Sequence, residues 1–166
     1  MVVNLYIVDA VMVLCAAGAV ASAAGEVRRL PMRRRHLLLP GLFAMLATIL
    51  VLAFPQPSDL MDVEFWFVLI VCILIGVVRG AFIGMASDHY WKLVRLDRGI
   101  DSLLAAVAVL IVGIIQAYIE TSTGAESHVE TTFEFIMSVV SGYLFGRSIA
   151  AYFRARALHH HDLKEV

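Results

Sequence analysis

Two arginines lie inside long apolar stretches of the sequence, where a charged side chain is rare and costly. Arg79 and Arg147 each adjoin a glycine, and by the rise of a helix both lie roughly 9–12 Å from one end of their stretch. Asp101, at the start of another apolar stretch, is a partner at the same depth. This placement predicts either that both arginines snorkel to lipid headgroups or that they share a site for an anion or a lipid phosphate.

A second set of polar residues lies toward the other ends of the apolar stretches. Asp9, Gln116 and Glu134 belong to three different stretches and fall at similar depth. If they meet, the cluster could bind a cation or relay protons. The alternative is that Asp9 and Glu134 reach the membrane interface separately, with Asp9 favoured by the dipole at a helix N-terminus.

Small residues recur at a spacing of four in two of the stretches. One stretch carries Gly76, Gly80 and Gly84, and the other carries Ser138, Gly142 and Gly146. A weaker stripe of this kind consists of Ala17, Ala21 and Gly25. Such a stripe opens a groove that lets two helix backbones approach closely. We expect either helix packing within one molecule or a face for a homodimer or a moving transporter element.

Residues for redox, metal or enzyme chemistry are sparse. Cys15 and Cys72 each fall near the middle of an apolar stretch, so they are either paired thiols of a redox carrier or apolar filler. None of the six histidines lies within an apolar stretch, and there is no Cys/His cluster. No catalytic signature appears. We therefore predict no metal, no cofactor, no enzyme activity and no nucleic-acid partner.

The elements that position these residues are predicted from hydropathy. The chain has 166 residues, 61% of them hydrophobic, with a mean hydropathy of +0.86. A soluble domain of this size cannot bury so much apolar surface. The sequence predicts an all-α polytopic membrane protein, one domain over residues 1–166, with about five transmembrane helices. The predicted spans are 5–24, 37–54, 65–87, 100–119 and 133–153.

Charge predicts the orientation of these spans. The connectors alternate between basic and acidic, so that all 13 lysines and arginines fall on one side or near its boundary. The positive-inside rule makes that side cytoplasmic and places the N-terminus outside. The first span lacks a basic segment before it, so we expect a retained anchor and not a signal peptide. The predicted location is the plasma membrane of a bacterium (its inner membrane), with anionic lipids on the cytoplasmic side.

Three segments resemble the CcdC-like family of small bacterial membrane proteins. They are LLLPGLFAMLATILVLAFP (37–55), GVVRGAFIGMASDHYWKLVRLDRG (76–99) and GYLFGRSIAAYF (142–153). The hydropathy plan is similar to that family across nearly the whole chain. By its name, the family implies a link to cytochrome c biogenesis, but it implies no catalytic residues.

The leading functional prediction is a non-enzymatic accessory or assembly factor of a larger membrane system, such as cytochrome c biogenesis. Its expected partners are membrane lipids and either a second copy or other membrane proteins. The alternative is a small dimeric transporter or channel with an arginine site at Arg79 and Arg147. A second alternative is a membrane thiol redox carrier that uses Cys15 and Cys72.

Overall fold

A computed structural model describes residues 2–28, 31–53, 63–88, 93–96, 99–123 and 128–157. Within these residues there are five α-helices and three short strands. The helices are α1 (Val2–Val27), α2 (Leu39–Ala53), α3 (Val63–Phe82), α4 (Ile100–Thr123) and α5 (His128–Ala157). The strands are β1 (Met32–Arg33), β2 (Met85–Asp88) and β3 (Leu93–Leu96), and a 3₁₀ helix, Arg34–Leu38, joins β1 to α2.

Three of the helices are long and apolar enough to cross a membrane. These segments are Ile7–Val27 of α1, Ile100–Ile119 of α4 and Phe135–Ala157 of α5. The described part of α2 has 15 residues, and the apolar part of α3 is the shorter segment Trp66–Phe82. A helix needs roughly 20 apolar residues to cross the hydrocarbon layer.

A four-helix bundle consists of α1, α2, α4 and α5, and α3 lies outside it. α1 packs against α2 and α4, and α5 packs against the same two helices from the other side. Helix α3 packs chiefly on α5. Because Met12 and Met137 both lie beside Gly113, while Glu26 lies beside Ser102 and Arg147, α1 runs parallel to α5 and antiparallel to α4.

The bundle core is built largely from alanine. Small side chains let helices approach closely, and dispersion contacts then hold them together. Two methionines, a leucine, a valine and a cysteine fill the remaining space between the alanines. The buried residues of this core include Met12, Ala16, Ala19, Ala23, Ala44, Ala47, Ala106, Met137 and Leu144.

A three-stranded antiparallel sheet covers one end of the bundle, which we call the sheet end. The strand order is β1-β3-β2, with Met32 opposite Val94 and Met85 opposite Leu96. The described residues are mostly helical and include five α-helices, as predicted, but the sheet is not predicted, and the predicted span 65–87 runs past the end of α3 at Phe82 into β2. The reason is that β3 alternates in burial, with Val94 and Leu96 inward, and needs partner strands.

A second small core lies under the sheet and fixes the end of α3. Leu37, Ile83, Val94, Leu96 and Ala155 are buried together there. Arg154 of α5 donates from Nη1 to the carbonyl oxygens of Ala81 and Ile83. These bonds satisfy carbonyls that the end of a helix leaves without partners, so α3 ends at Phe82 and the chain turns into β2.

Candidate functional site

Buried charges join three helices at the sheet end of the bundle. Arg147 of α5 donates from Nη1 to Oε2 of Glu26, the residue before the last of α1, at 2.8 Å. Both side chains are only 1% exposed. Ser102 of α4 donates to the same Glu26 oxygen at 2.8 Å. We call Glu26, Arg79, Asp101, Ser102, Tyr143 and Arg147 the ion cluster.

Asp101 is the second acceptor of the ion cluster. Its Oδ2 atom accepts from Nε of Arg147 at 3.2 Å, from Nε of Arg79 at 3.1 Å and from the hydroxyl of Tyr143 at 2.9 Å. Asp101 lies in the first turn of α4, where the helix dipole also favours a carboxylate. One carboxylate oxygen therefore connects α3, α4 and α5.

The backbone at Gly99 makes room for the ion cluster. A Cβ atom at this position would lie 2.7 Å from Nη2 of Arg147 and 3.1 Å from Oε2 of Glu26. Any side chain here would have to displace buried charged groups. Glycine just before α4 is therefore what allows α1 and α5 to meet at the start of that helix.

The two arginines differ in exposure, and neither lacks a carboxylate. Arg147 is buried, so the expectation that it snorkels to headgroups is wrong; Glu26 and Asp101 stabilise its charge inside the protein. Arg79 is 49% exposed and pairs with Asp101. Two arginines thus face two carboxylates, and the charges within the ion cluster balance. The cluster as it stands does not offer a free positive site shared by both arginines.

Sequence reasoning found Arg79, Arg147 and Asp101 but missed Glu26, Ser102 and Tyr143. Glu26 was assigned to a connector, yet it lies within α1. An acidic residue in the last turn of a helix opposes the helix dipole. That local conflict is a signal of an unseen cationic partner, and here the partner is Arg147.

The other predicted polar set lies toward the opposite end of the bundle. Met12, Gly113 and Met137 meet in the core. Asp9, Gln116 and Glu134 are each three residues from one of these, in the direction away from the sheet end, so their backbone positions share one level. Gln116 is buried and Asp9 is half-buried, whereas the Glu134 side chain lies outside the described residues.

The glycine stripes of α3 and α5 pack against each other within the molecule. A Cβ at Gly76 would collide with the carbonyl oxygen of Tyr143, one at Gly80 with Arg147, and one at Gly146 with the carbonyl oxygen of Ile73. At Gly142 the nearest atom belongs to the Leu69 side chain, at 3.0 Å. These contacts make α3 and α5 parallel and occupy the stripes, so they do not form a free homodimer face.

Two small residues depart from the sequence pattern, whereas Ser138 agrees with it. Gly84 is exposed beyond the end of α3, because the helix stops at Phe82, and its assignment to the packing stripe is wrong. Ser138 is buried in α5, as a packing position requires. Gly41 of α2 was missed, although a Cβ there would lie 2.8 Å from Cα of Phe145. Gly41 follows Pro40 near the start of α2 and belongs to no stripe of small residues, so spacing alone does not indicate it.

The two cysteines lie on helices that pack chiefly against other helices. Cys15 is buried in the alanine-rich core on α1, and Cys72 is partly buried on α3. α1 packs on α2 and α4, whereas α3 packs chiefly on α5. A disulfide needs Cα atoms within roughly 7 Å. Both cysteines are free, so no disulfide connects α1 to α3.

The described residues include no group of three or more histidine, cysteine, aspartate or glutamate side chains that could hold a metal ion. The histidine run 159–161 lies outside them. No protein-family model, curated protein or solved structure matches the chain. The resemblance to the CcdC-like family consequently stays a sequence-based prediction.

Proposed function

We propose that the chain is a non-enzymatic integral membrane protein of about five spans that acts as an accessory or assembly factor of a larger membrane system. In this proposal the N-terminus is outside and the sheet end is cytoplasmic. Support for the orientation comes from exposed basic residues at the sheet end, namely Arg28, Arg33, Arg35 and Arg156. Basic residues beside spans are retained on the cytoplasmic side.

The observation that carries the proposal is the uncovered face of α3. Helix α3 is attached to the bundle mainly through α5, and its opposite face consists of large apolar side chains. Among them, Phe67, Leu74, Val78 and Phe82 are more than half exposed. In a membrane such a face contacts either lipid or a helix of another protein. A long, continuous face on a peripheral helix is what an assembly factor needs to bind a client helix.

The ion cluster supports a scaffold role more than a transport role. It connects α1, α3, α4 and α5 through paired charges, and loss of one partner from a buried pair is strongly destabilising. A small dimeric transporter or channel would need Arg79 and Arg147 to bind a substrate anion. Arg147 is buried and already paired with Glu26 and Asp101, so an anion bound by both arginines would have to displace a carboxylate from Arg147.

Site-specific photo-crosslinking in native membranes tests the proposal. A photoreactive residue at Leu74 or Val78 should crosslink to a discrete membrane protein. The matched control is Ile114, a similarly exposed position on α4, which should give only lipid adducts. The proposal would be contradicted if neither position on α3 crosslinks to another protein and the chain purifies as a lone monomer.

The larger system can be approached genetically. The resemblance to the CcdC-like family points to cytochrome c biogenesis, so deletion of the gene should lower the content of covalently bound haem in c-type cytochromes. Restoration by the wild-type chain, but not by a chain with Leu74→Lys and Val78→Lys, would connect that phenotype to the α3 face. Unchanged c-type cytochromes would exclude this system while leaving the general role to the crosslinking result.

A further inference from the structure

Helices α3 and α4 both pack on α5, and an ion pair connects them near the sheet end. They make few direct contacts with each other. The ion pair between Arg79 and Asp101 crosses from one helix to the other, and Tyr143 and Arg147 of α5 lie beneath it. We call the space between α3 and α4, from this ion pair toward the end of the bundle away from the sheet, the α3–α4 cleft.

The walls of the α3–α4 cleft are apolar. Residues three or four apart share one face of a helix. On α3 the face of Arg79 continues to Ile75, and on α4 the face of Asp101 continues to Leu104 and Ile111. Ile75, Leu104 and Ile111 are 55%, 66% and 50% exposed, so protein covers none of them fully. Exposed apolar side chains on both helices therefore lead up to a charged group.

Arg79 has hydrogen-bonding capacity left over. A guanidinium group carries five N–H donors. Only the Nε donor of Arg79 makes a hydrogen bond, to Asp101, and within the described residues its two terminal amino groups have no acceptor. Its side chain is 49% exposed. Asp101 in turn accepts from three donors through one oxygen, so its charge is strongly compensated.

The depth of Arg79 selects the ligand. It lies three residues before the end of α3, about 4.5 Å along the helix axis. In the membrane placement proposed above, that level is the boundary between hydrocarbon and headgroups on the sheet side. Phosphate is the abundant acceptor at this level, and guanidinium groups bind it with two parallel hydrogen bonds. Exposed arginines at the same end, including Arg33 and Arg35, add positive charge around it.

We propose that the α3–α4 cleft binds one phospholipid with a net negative headgroup. Its phosphate accepts hydrogen bonds from the two amino groups of Arg79, and one acyl chain lies between Ile75 and Leu104. Arg147 takes no part, because it is buried and paired. This inference rests on the membrane placement in the proposed function but not on its partner-binding role, since a lipid in this cleft leaves the face of α3 opposite α5 available.

The test is native mass spectrometry of the protein released from nanodiscs that contain phosphatidylglycerol and phosphatidylcholine. The wild-type chain should retain one phosphatidylglycerol molecule in preference to phosphatidylcholine. Arg79→Gln should lower the affinity for that lipid about tenfold or more, as expected for loss of charge-assisted hydrogen bonds. Arg79→Lys keeps the charge without the planar fork and should retain part of the binding.

Two further variants separate a specific site from general attraction. Arg156→Gln removes an equally basic, exposed residue at the same end of the protein and should keep the bound lipid. Leu104→Trp fills the α3–α4 cleft while Arg79 remains, and should displace the acyl chain and lower lipid retention. Retention by Arg79→Gln equal to wild type, or equal losses in Arg79→Gln and Arg156→Gln, would overturn the proposal. So would a Leu104→Trp chain that holds lipid normally.

Inorganic phosphate distinguishes the lipid from a free anion. Because the acyl chain contributes to binding, an excess of phosphate should leave phosphatidylglycerol on the wild-type chain. Displacement of the lipid by phosphate would mean that Arg79 is a site for a soluble anion, and the lipid proposal would then be wrong. Crosslinking from the α3 face is unaffected by either result, so the two proposals fail separately.

Discussion

Helix α5 presents two interfaces that hold their neighbours by different physical means. Toward α3, glycines on both helices bring backbone against backbone, as at Gly76 and Gly146. Toward α1 and α4, the same helix uses Arg147, which reaches Glu26 and Asp101 across the interface. The first interface depends on the absence of side chains, and the second depends on a long charged one.

The difference teaches how specificity is obtained without water. Between apolar helices in lipid there is no hydrophobic driving force, so close packing and hydrogen bonding decide which helices associate. The glycine interface selects by shape, because an added atom meets a backbone carbonyl. The charged interface selects by ion pairing, because the buried charge of Arg147 is stabilised only where the carboxylates of Glu26 and Asp101 accept its hydrogen bonds. Substitutions should therefore fail in different ways on the two sides of α5.

The largest effect is expected from breaking the charged interface. Arg147→Met leaves Glu26 buried with Ser102 as its remaining side-chain donor among the described residues, and a lone buried charge costs about 3–5 kcal/mol of unfolding free energy. Unfolding in mixed micelles by a denaturing detergent measures this loss. The double variant Glu26→Gln with Arg147→Met should recover part of it, since the unpaired charge is gone. A double variant that loses the sum of the two single effects would show that pairing does not matter here.

The glycine interface should respond to a single methyl group. In Gly76→Ala the new Cβ meets the backbone of α5, which cannot move aside cheaply, and we expect a loss of about 1–3 kcal/mol. Gly113→Ala is the matched control within a helix, because its Cβ would lie 3.7 Å from the mobile end of Met12. That change should be neutral or stabilise by up to about 1 kcal/mol. The same unfolding assay tests both, and equal effects would contradict the backbone contact.

The sequence predicts much of this comparison because each side of α5 leaves a local pattern. Spacing of four among Gly76, Gly80, Gly142 and Gly146 indicates the glycine interface, and apolar surroundings single out Arg147. The pattern cannot tell which glycine meets backbone and which meets the Leu69 side chain. That distinction depends on the register of two helices, which is a tertiary property.

The parts that sequence reasoning missed are those created by chain segments distant in sequence. Glu26 and Arg147 are 121 residues apart, and no local period connects them. The sheet was missed because its strands are two to four residues long, although the alternation of Val94 and Leu96 was visible. Gly84 was misassigned because the stripe continues in sequence after the helix has ended.

A smaller loss of unfolding free energy is expected when the charged interface loses a hydrogen bond but keeps its charges. Ser102→Ala removes the hydroxyl that donates to Glu26 at 2.8 Å but leaves Arg147 in place. A single buried hydrogen bond contributes about 1 kcal/mol, so this variant should lose far less than Arg147→Met. Ser22→Ala is a control, since that hydroxyl bonds only to carbonyls of its own helix. A loss in Ser102→Ala as large as in Arg147→Met would mean that the hydroxyl organises the whole cluster.

The smallest effect on stability is expected at Arg79, which lies at the edge of both interfaces. It is half exposed, and ion pairs at that exposure contribute at most about 1 kcal/mol. Arg79→Gln should therefore change the unfolding free energy little, while Arg147→Met changes it greatly, although both arginines bind the same oxygen of Asp101. Unfolding of the two variants side by side, in lipid-free detergent, makes the comparison direct. Equal losses would mean that the half-exposed ion pair of Arg79 contributes as much to stability as the buried pairs of Arg147, which would contradict the expected difference.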